Sequence, residues 1–379
     1  MSSINVWSRC ANSVRFLIFG IILQAVILVL IYKNSKPSRY SLSNNQSITE
    51  CDDLLNEWDT EIPVLLIDLD FLEKLKTEDC QWDETKRVKI GVHVKDKNGS
   101  IIDTNRFDVV FYDSPDNKDF LEFNEDGKRI IPKRFETRRI GNFKVPTNIQ
   151  RFIEFYKRSK FVECLGLEMN RNKSEEAYQN GTTSANILAR FQDELIDMEM
   201  YPLLNGGTLL GWYRECTVIP HTRDLDFSVF KDNYKPEYAE KVLRGETDFI
   251  LRRKFGRLED SQEITVVSKK EVRPTIDLFV MYDYVEDGKL AYRYISGLND
   301  GRKFRYTHLL LEPSCAAEMH GHLFWILCNP IEQLKHEYGP LWYLDHPTGK
   351  YDWSSSGKNV KTAGMFTWEE MQKYYLEYK

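Results

Sequence analysis

The chain has 379 residues, 42% of them hydrophobic, with a formal net charge of -6 and a pI near 5.8. That apolar content can core one large domain or two ordinary ones. A mildly acidic chain with dispersed charges lacks the basic face that general nucleic-acid binding requires, so no nucleic-acid partner is expected.

The first candidate element is Phe16–Tyr32, almost wholly apolar, uncharged, and flanked by Arg15 and Lys33. As a helix it would run about 25 Å, short for a bilayer but usable, and suited to the thinner membranes of the early secretory pathway. No Ala-x-Ala site follows it, which favours an anchor over a cleaved signal. The expectation is a cytosolic tail over 1–15, a transmembrane signal anchor over 16–32 and a polar stem over 33–60. Asn-x-Ser/Thr sequons at Asn45, Asn98, Asn172 and Asn180 all follow the span. They point to a single-pass type II protein with its C-terminal region lumenal. Six cysteines follow the span too, allowing fifteen pairings among which sequence cannot choose.

Residues 61–180 read as a small α/β domain, with strand candidates at Ile62–Leu69, Val88–Val94, Phe107–Tyr112 and Ile140–Val145 and a turn at Asp126-Gly127. Asp68-Leu-Asp70 ends the first strand and invites a phosphatase-type reading. The Thr or Val expected shortly after it is missing, so Asp68 is not taken as catalytic. The remaining residues, 181–379, form the second domain. Its first helix, predicted over Ala185–Tyr201, buries Ile187, Phe191, Leu195 and Met198 at helical spacing.

That helix delivers the chain to Gly206-Gly-Thr-Leu-Leu-Gly-Trp-Tyr-Arg214 and then to a strand carrying Asp224 and Asp226. Gly206 and Gly207 permit backbone conformations and approaches that a Cβ would block. A helix opening there would turn free N–H groups toward an anion such as phosphate. Alternation places Asp224, Asp226 and Ser228 on one strand face and Leu225, Phe227 and Val229 on the other. Downstream, Asp277 lies in another alternating strand, Thr275–Tyr284. Three carboxylates together would repel strongly unless a cation bound or some protonated. Asp224, Asp226 and Asp277 are therefore the candidate ligands for Mg2+ or Mn2+.

The pattern Gly206–Gly211, Arg214, Ile219-Pro220, Asp224/Asp226 and Ile276-Asp277 resembles the LicD/fukutin family of phosphotransferases over roughly residues 184–375. Gly211–Cys216 and Pro220–Asp224 are more similar to fukutin than to the bacterial choline-phosphate transferases. Thr222 and Arg223 stand where those enzymes carry more acidic residues. The resemblance implies a nucleotidyltransferase-like mixed-sheet domain, hence an α/β (α+β) fold with an N-terminal anchor. It also implies a Golgi location and metal-dependent transfer of ribitol 5-phosphate from CDP-ribitol to a glycan acceptor in protein O-mannosylation.

In that scheme Asp224, Asp226, Asp277 and Arg214 are catalytic. Gly206, Gly207, Thr208, His221 and Arg223 contact the donor, and Tyr338 and Trp353 belong to an aromatic C-terminal segment closing over the site. Phosphocholine transfer to a glycan is the nearest alternative. A catalytically silent scaffold for another glycan transferase is the alternative from a different class. His320 and His322, flanking Gly321, would share a strand face but lack a third metal ligand.

Overall fold

Two β-sheets organise the computed structural model, which describes residues 48–56, 62–77, 80–96, 105–116, 118–171, 179–271, 273–311, 314–347 and 350–379. The first contains β1 (Val64–Leu66), β2 (Val88–His93), β3 (Phe107–Asp113), β4 (Glu122–Glu125), β5 (Lys128–Ile130), β6 (Thr137–Ile140) and β7 (Phe143–Pro146). Their order is β5-β4-β3-β2-β1-β7-β6. Helices α1 (Leu69–Leu75) and α2 (Ile149–Lys157) contribute Phe71, Leu72 and Phe152 to its core. The predicted single strand over 140–145 is instead a hairpin, because Gly141 takes a positive φ and folds β6 onto β7. Asp68 caps α1: its side chain accepts from the Phe71 and Lys89 backbone N–H groups. Both oxygens are thereby engaged in holding structure.

Residues expected to be stem also fold. Cys51–Asn56 is a helix whose Cys51, Leu54 and Leu55 enter the first core, and Cys51 is disulfide-bonded to Cys80. The membrane anchor requires a correction. Among the described residues, no helix is long and apolar enough to cross a membrane. The described structure therefore adds no transmembrane element to the mixed α/β fold, contrary to the expected single-pass type II anchor. The span expected at residues 16–32 lies outside the described residues, as do the tail over 1–15 and the sequons at Asn45, Asn98 and Asn172.

The second domain begins with α3 (Gly181–Ile196), capped by the Asn180 side chain, which accepts from Thr183 N–H. There follow β8 (Leu203–Leu204), α4 (Gly206–Glu215), β9 (Asp224–Phe230), α5 (Glu237–Leu243), β10 (Phe249–Phe255), β11 (Glu263–Ser268) and β12 (Thr275–Glu286). After these come β13 (Lys289–Asn299), β14 (Arg302–His308), β15 (Cys315–Met319), β16 (His322–Ile326), α6 (Pro330–Tyr338), β17 (Val360–Met365), α7 (Trp368–Tyr374) and β18 (Tyr375–Glu377).

The sheet runs β15-β16-β8-β9-β12-β11-β10-β18, and the long β12 also pairs with β13, which leads through β14 to β17. Leu225, Phe227 and Val229 of β9 are fully buried together with Ile276, Leu278 and Val280 of β12. These apolar rows leave the aspartates on the opposite face, as strand alternation requires. Cys164–Cys216 and Cys315–Cys328 add two more disulfides.

The two sheets share a third apolar cluster. Phe120, Ile131 and Phe155 from the first domain pack with Leu203, Leu323 and Trp325 from the second. Backbone hydrogen bonds join them as well, from Ala316 N–H to the Lys160 carbonyl and from Val162 N–H to the Ala316 carbonyl.

Candidate functional site

The carboxylate cluster follows from one register. β9 and β12 are parallel neighbours with Asp226 opposite Asp277, and the antiparallel β11 sets Thr265 opposite Asp277. Side chains in register on adjacent strands point to the same face. Asp226, Asp277 and Thr265 therefore form a row across the sheet, with Asp224 one pleat away. Ligand oxygens of Asp224, Asp226 and Asp277 lie within 4.8 Å of one another. Three carboxylates and no sulfur or imidazole make an all-oxygen donor set, which suits a hard divalent cation.

The glycine turn abuts this row. Gly206 has φ of +50°, and a Cβ there would stand 3.0 Å from Asp226 Oδ2; at Gly207 the same approach is 3.7 Å. Asn205 opens α4 without a side-chain cap, so the first-turn N–H groups have no such acceptor. Thr208 is buried, and its Oγ1 accepts the Asp226 N–H at 2.7 Å, fixing the helix to the strand. Gly211 is needed for packing, since a Cβ would meet Ile219 N at 2.7 Å.

Burial and crowding make the cluster reluctant to hold its charge. Asp226 is pushed well above the ordinary carboxylate range by burial and then by Asp224, Asp277, Glu337 and Glu263. Asp277 is pushed up to about 6 by burial, which outweighs the relief from Arg253 and the Thr265 hydroxyl. Asp224 is raised by burial, partly offset by the Thr222 hydroxyl, 3.3 Å from its Oδ1, and by Arg253 and Arg223.

Two acids that sequence reasoning missed surround these. Glu263 of β11 is pushed well up by burial and Asp277, and its Oε1 is 2.6 Å from Arg253 Nη2. Glu337, near the end of α6, is pushed up to about 7 by burial. A charged residue opening the otherwise apolar Glu263-Ile-Thr-Val-Val was the available signal for the first. Glu337 offered none.

The other expected residues divide. Burial, and then the charges of Glu337, Tyr351 and Asp226, push the Tyr338 phenol well up, and its ring lies 5.7 Å from Tyr351. Arg223 is exposed beside Asp224. Arg214 lies some 12 Å along the α4 axis from Gly206. It is 1% exposed and donates to Glu215, to the Leu344 carbonyl and to Asp345. Arg171 joins the same two acids, and His221 Nε2 stands 3.3 Å from Asp345. This half-buried network, with Arg214 at its centre, ties the segment after α6 to the end of α4. Trp353 packs on Phe304 and Tyr306 and is not among the groups converging on the aspartates. His320 occupies a turn with φ of +52°, so it does not share a strand face with His322. His320 meets Thr217, whereas His322 meets Asn186 and Asp119.

A mixed sheet that brings three carboxylates from two parallel strands against a glycine turn defines a nucleotidyltransferase-type domain. Residues 201–329 match the LicD/FKTN/FKRP nucleotidyltransferase domain, and residues 50–163 match the W02B3.4-like N-terminal domain. The Caenorhabditis elegans protein W02B3.4 is 44% identical over 87% of this chain and 85% of its own length. A second protein of that organism, T07A5.1, is 36% identical over 92% of this chain and 90% of its own length. The ribitol-5-phosphate transferase FKTN of Mus musculus is 29% identical over 61% of this chain, and the match spans 50% of that protein. The chain belongs to the LicD/fukutin family.

Proposed function

We propose that the chain is a metal-dependent phosphotransferase acting in glycosylation, moving a phosphorylated alcohol from a CDP-linked donor to a glycan hydroxyl. The observation that carries this reading is the convergence of Asp224, Asp226 and Asp277 beside Gly206 and Gly207. Asp224 and Asp226 would hold a magnesium or manganese ion, which supplies positive charge to the donor diphosphate and the departing CMP. The first-turn N–H groups of α4 offer donors to a phosphate oxygen. Thr208 holds those donors against Asp226.

In the transfer, the acceptor hydroxyl oxygen bonds to the phosphorus of the phospho-alcohol as its bond to the CMP oxygen breaks. The hydroxyl proton passes to a carboxylate. Asp277 takes that role in place of metal ligation, with Asp224 and Asp226 holding the ion. A carboxylate bound to the cation would lose the raised proton affinity it has in the metal-free chain. Ribitol 5-phosphate is the favoured cargo, because the mammalian relatives bear that activity in their names.

The test incubates the full chain with CDP-ribitol, CDP-glycerol or CDP-choline, plus magnesium, with and without glycan acceptors, and follows CMP. Release from CDP-ribitol that depends on metal and acceptor, and is lost in Asp226→Asn, is the expected result. No release from any of the three donors would sink the proposal and favour a scaffold role.

A further inference from the structure

Beside the carboxylates, β10, β11, β12 and β18 enclose a cleft of about 440 Å3 that also receives Asp224 and Asp277. Arg252, Arg253 and Lys379 bring three cations into it, together with the hydroxyls of Thr265 and Thr275. Consecutive residues of a regular strand point to opposite faces, so Arg252 and Arg253 should not share one cavity. They do because the pairing of β10 with β11 slips between Leu251 and Arg253. Such an irregularity re-aims a side chain.

The cations differ in their engagements. Arg253 is held by Glu263 at 2.6 Å and stands 3.8 Å from Asp277. Among the described residues, the Arg252 guanidinium and the Lys379 ammonium form no ion pair. The cleft is therefore bordered by two cations without an ion pair and by the Thr275 hydroxyl. The Thr265 hydroxyl is given to Asp277, and the Glu377 carboxylate stands on the same lining.

We propose that this cleft is a phosphate subsite in which Arg252 and Lys379 bind an anionic phosphate group of a substrate. A guanidinium fork matches two phosphate oxygens, and an ammonium adds an adjustable point charge. Thr265 and Thr275 border the same space with polar groups. The identity of the ligand rests on the transferase reading, which offers two sources of one chemistry: the diphosphate of the donor, or a phosphate ester on the acceptor.

Calorimetric titration of the full chain, with magnesium present, against CDP, glucose 6-phosphate and glucose tests the assignment. In Arg252→Ala, affinity for at least one phosphate ligand should fall about tenfold or more, the scale of a charge-assisted hydrogen bond. Arg252→Lys should recover part of it, and glucose binding should not change. A loss confined to CDP assigns the subsite to the donor; a loss confined to glucose 6-phosphate assigns it to the acceptor. Lys379→Ala, at an exposed position, repeats the measurement should Arg252→Ala melt early.

Wild-type affinity for both phosphate ligands in both alanine variants overturns the subsite, as does a native chain that binds neither. Failure of the transferase reading is separable. Phosphate binding that depends on Arg252 or Lys379 in a chain releasing no CMP sinks only the transfer, whereas CMP release with binding indifferent to both residues sinks only the subsite.

Discussion

Gly206 stands so close to Asp226 that a single added carbon would come within 3.0 Å of the carboxylate oxygen Oδ2. The residue also has φ of +50°, where an L side chain is strained. Gly206→Ala should therefore displace either the turn or the carboxylate, with turnover falling about a hundredfold, the scale of a small misplacement. Gly207→Ala meets the same oxygen at an ordinary 3.7 Å and should cost far less. Equal CMP release rates for the two variants would show that the close approach is incidental.

Asp226→Asn should separate stability from activity. Asp226 is half-buried beside acids that already disfavour its charge, so the amide relieves repulsion in the metal-free chain. Without divalent cation, the variant should melt a few degrees above wild type, reflecting about 1–2 kcal/mol. Magnesium should then raise the melting temperature of wild type but not of the variant, by linkage of binding to folding.

The raised Asp277 carboxyl fixes the sign of a pH effect. Its folded value of about 6 exceeds the unfolded 3.8. The folded chain thus binds the extra proton between those values, and the contribution to stability grows as pH falls through 6 toward 4. At pH 7 and above, burying the charge costs on the order of 2–3 kcal/mol. Metal-free melting at pH 5.5 and pH 7.5 should show this group favouring the lower pH. Turnover and magnesium stabilisation should do the opposite, fading as pH falls, because Asp277 takes up a proton and protons on Asp224 and Asp226 displace the ion. A magnesium-induced melting shift as large at pH 5 as at pH 7.5 would contradict the assignment.

Arg214 predicts a structural rather than a chemical phenotype. Its guanidinium is 1% exposed and meets Glu215, whose side chain is 6% exposed. Arg214→Ala removes one of the two guanidiniums that hold Glu215, with Arg171 remaining, and strips the Leu344 carbonyl of its donor, a loss of about 1–3 kcal/mol. Urea denaturation should show the drop. Turnover of the molecules that remain folded should change much less than in Asp226→Asn.

The carboxylate cluster was legible in sequence because its signals are local. Period-two alternation alone puts Asp224 and Asp226 on the face away from Leu225 and Phe227, and the glycine pair announces the turn. What escaped depends on partners distant in the chain. Arg214 looked like a charge for phosphate until Asp345, 131 residues away, was seen against it. Glu337 reaches the cluster through the placement of α6, and Arg252 enters its cleft through a slip in strand pairing, neither of which composition or spacing encodes. The hairpin at Gly141 was missed because Ile140, Phe143 and Val145 were read as one strand across Gly141-Asn142, a dipeptide that signals a turn.

The seam between the sheets bears on what can be removed. Trp325 and Leu203 belong to the half that carries the aspartates, yet Phe120, Ile131 and Phe155 of the other half cover them. Trimming the chain to residue 181 onward would bare that tryptophan face and strip Ala316 of both backbone partners beside it. The trimmed protein would offer a sticky, half-zippered strand edge that invites aggregation. The leading sheet is thus the other bank of one body, and harm done within it would surface as lost catalysis far away.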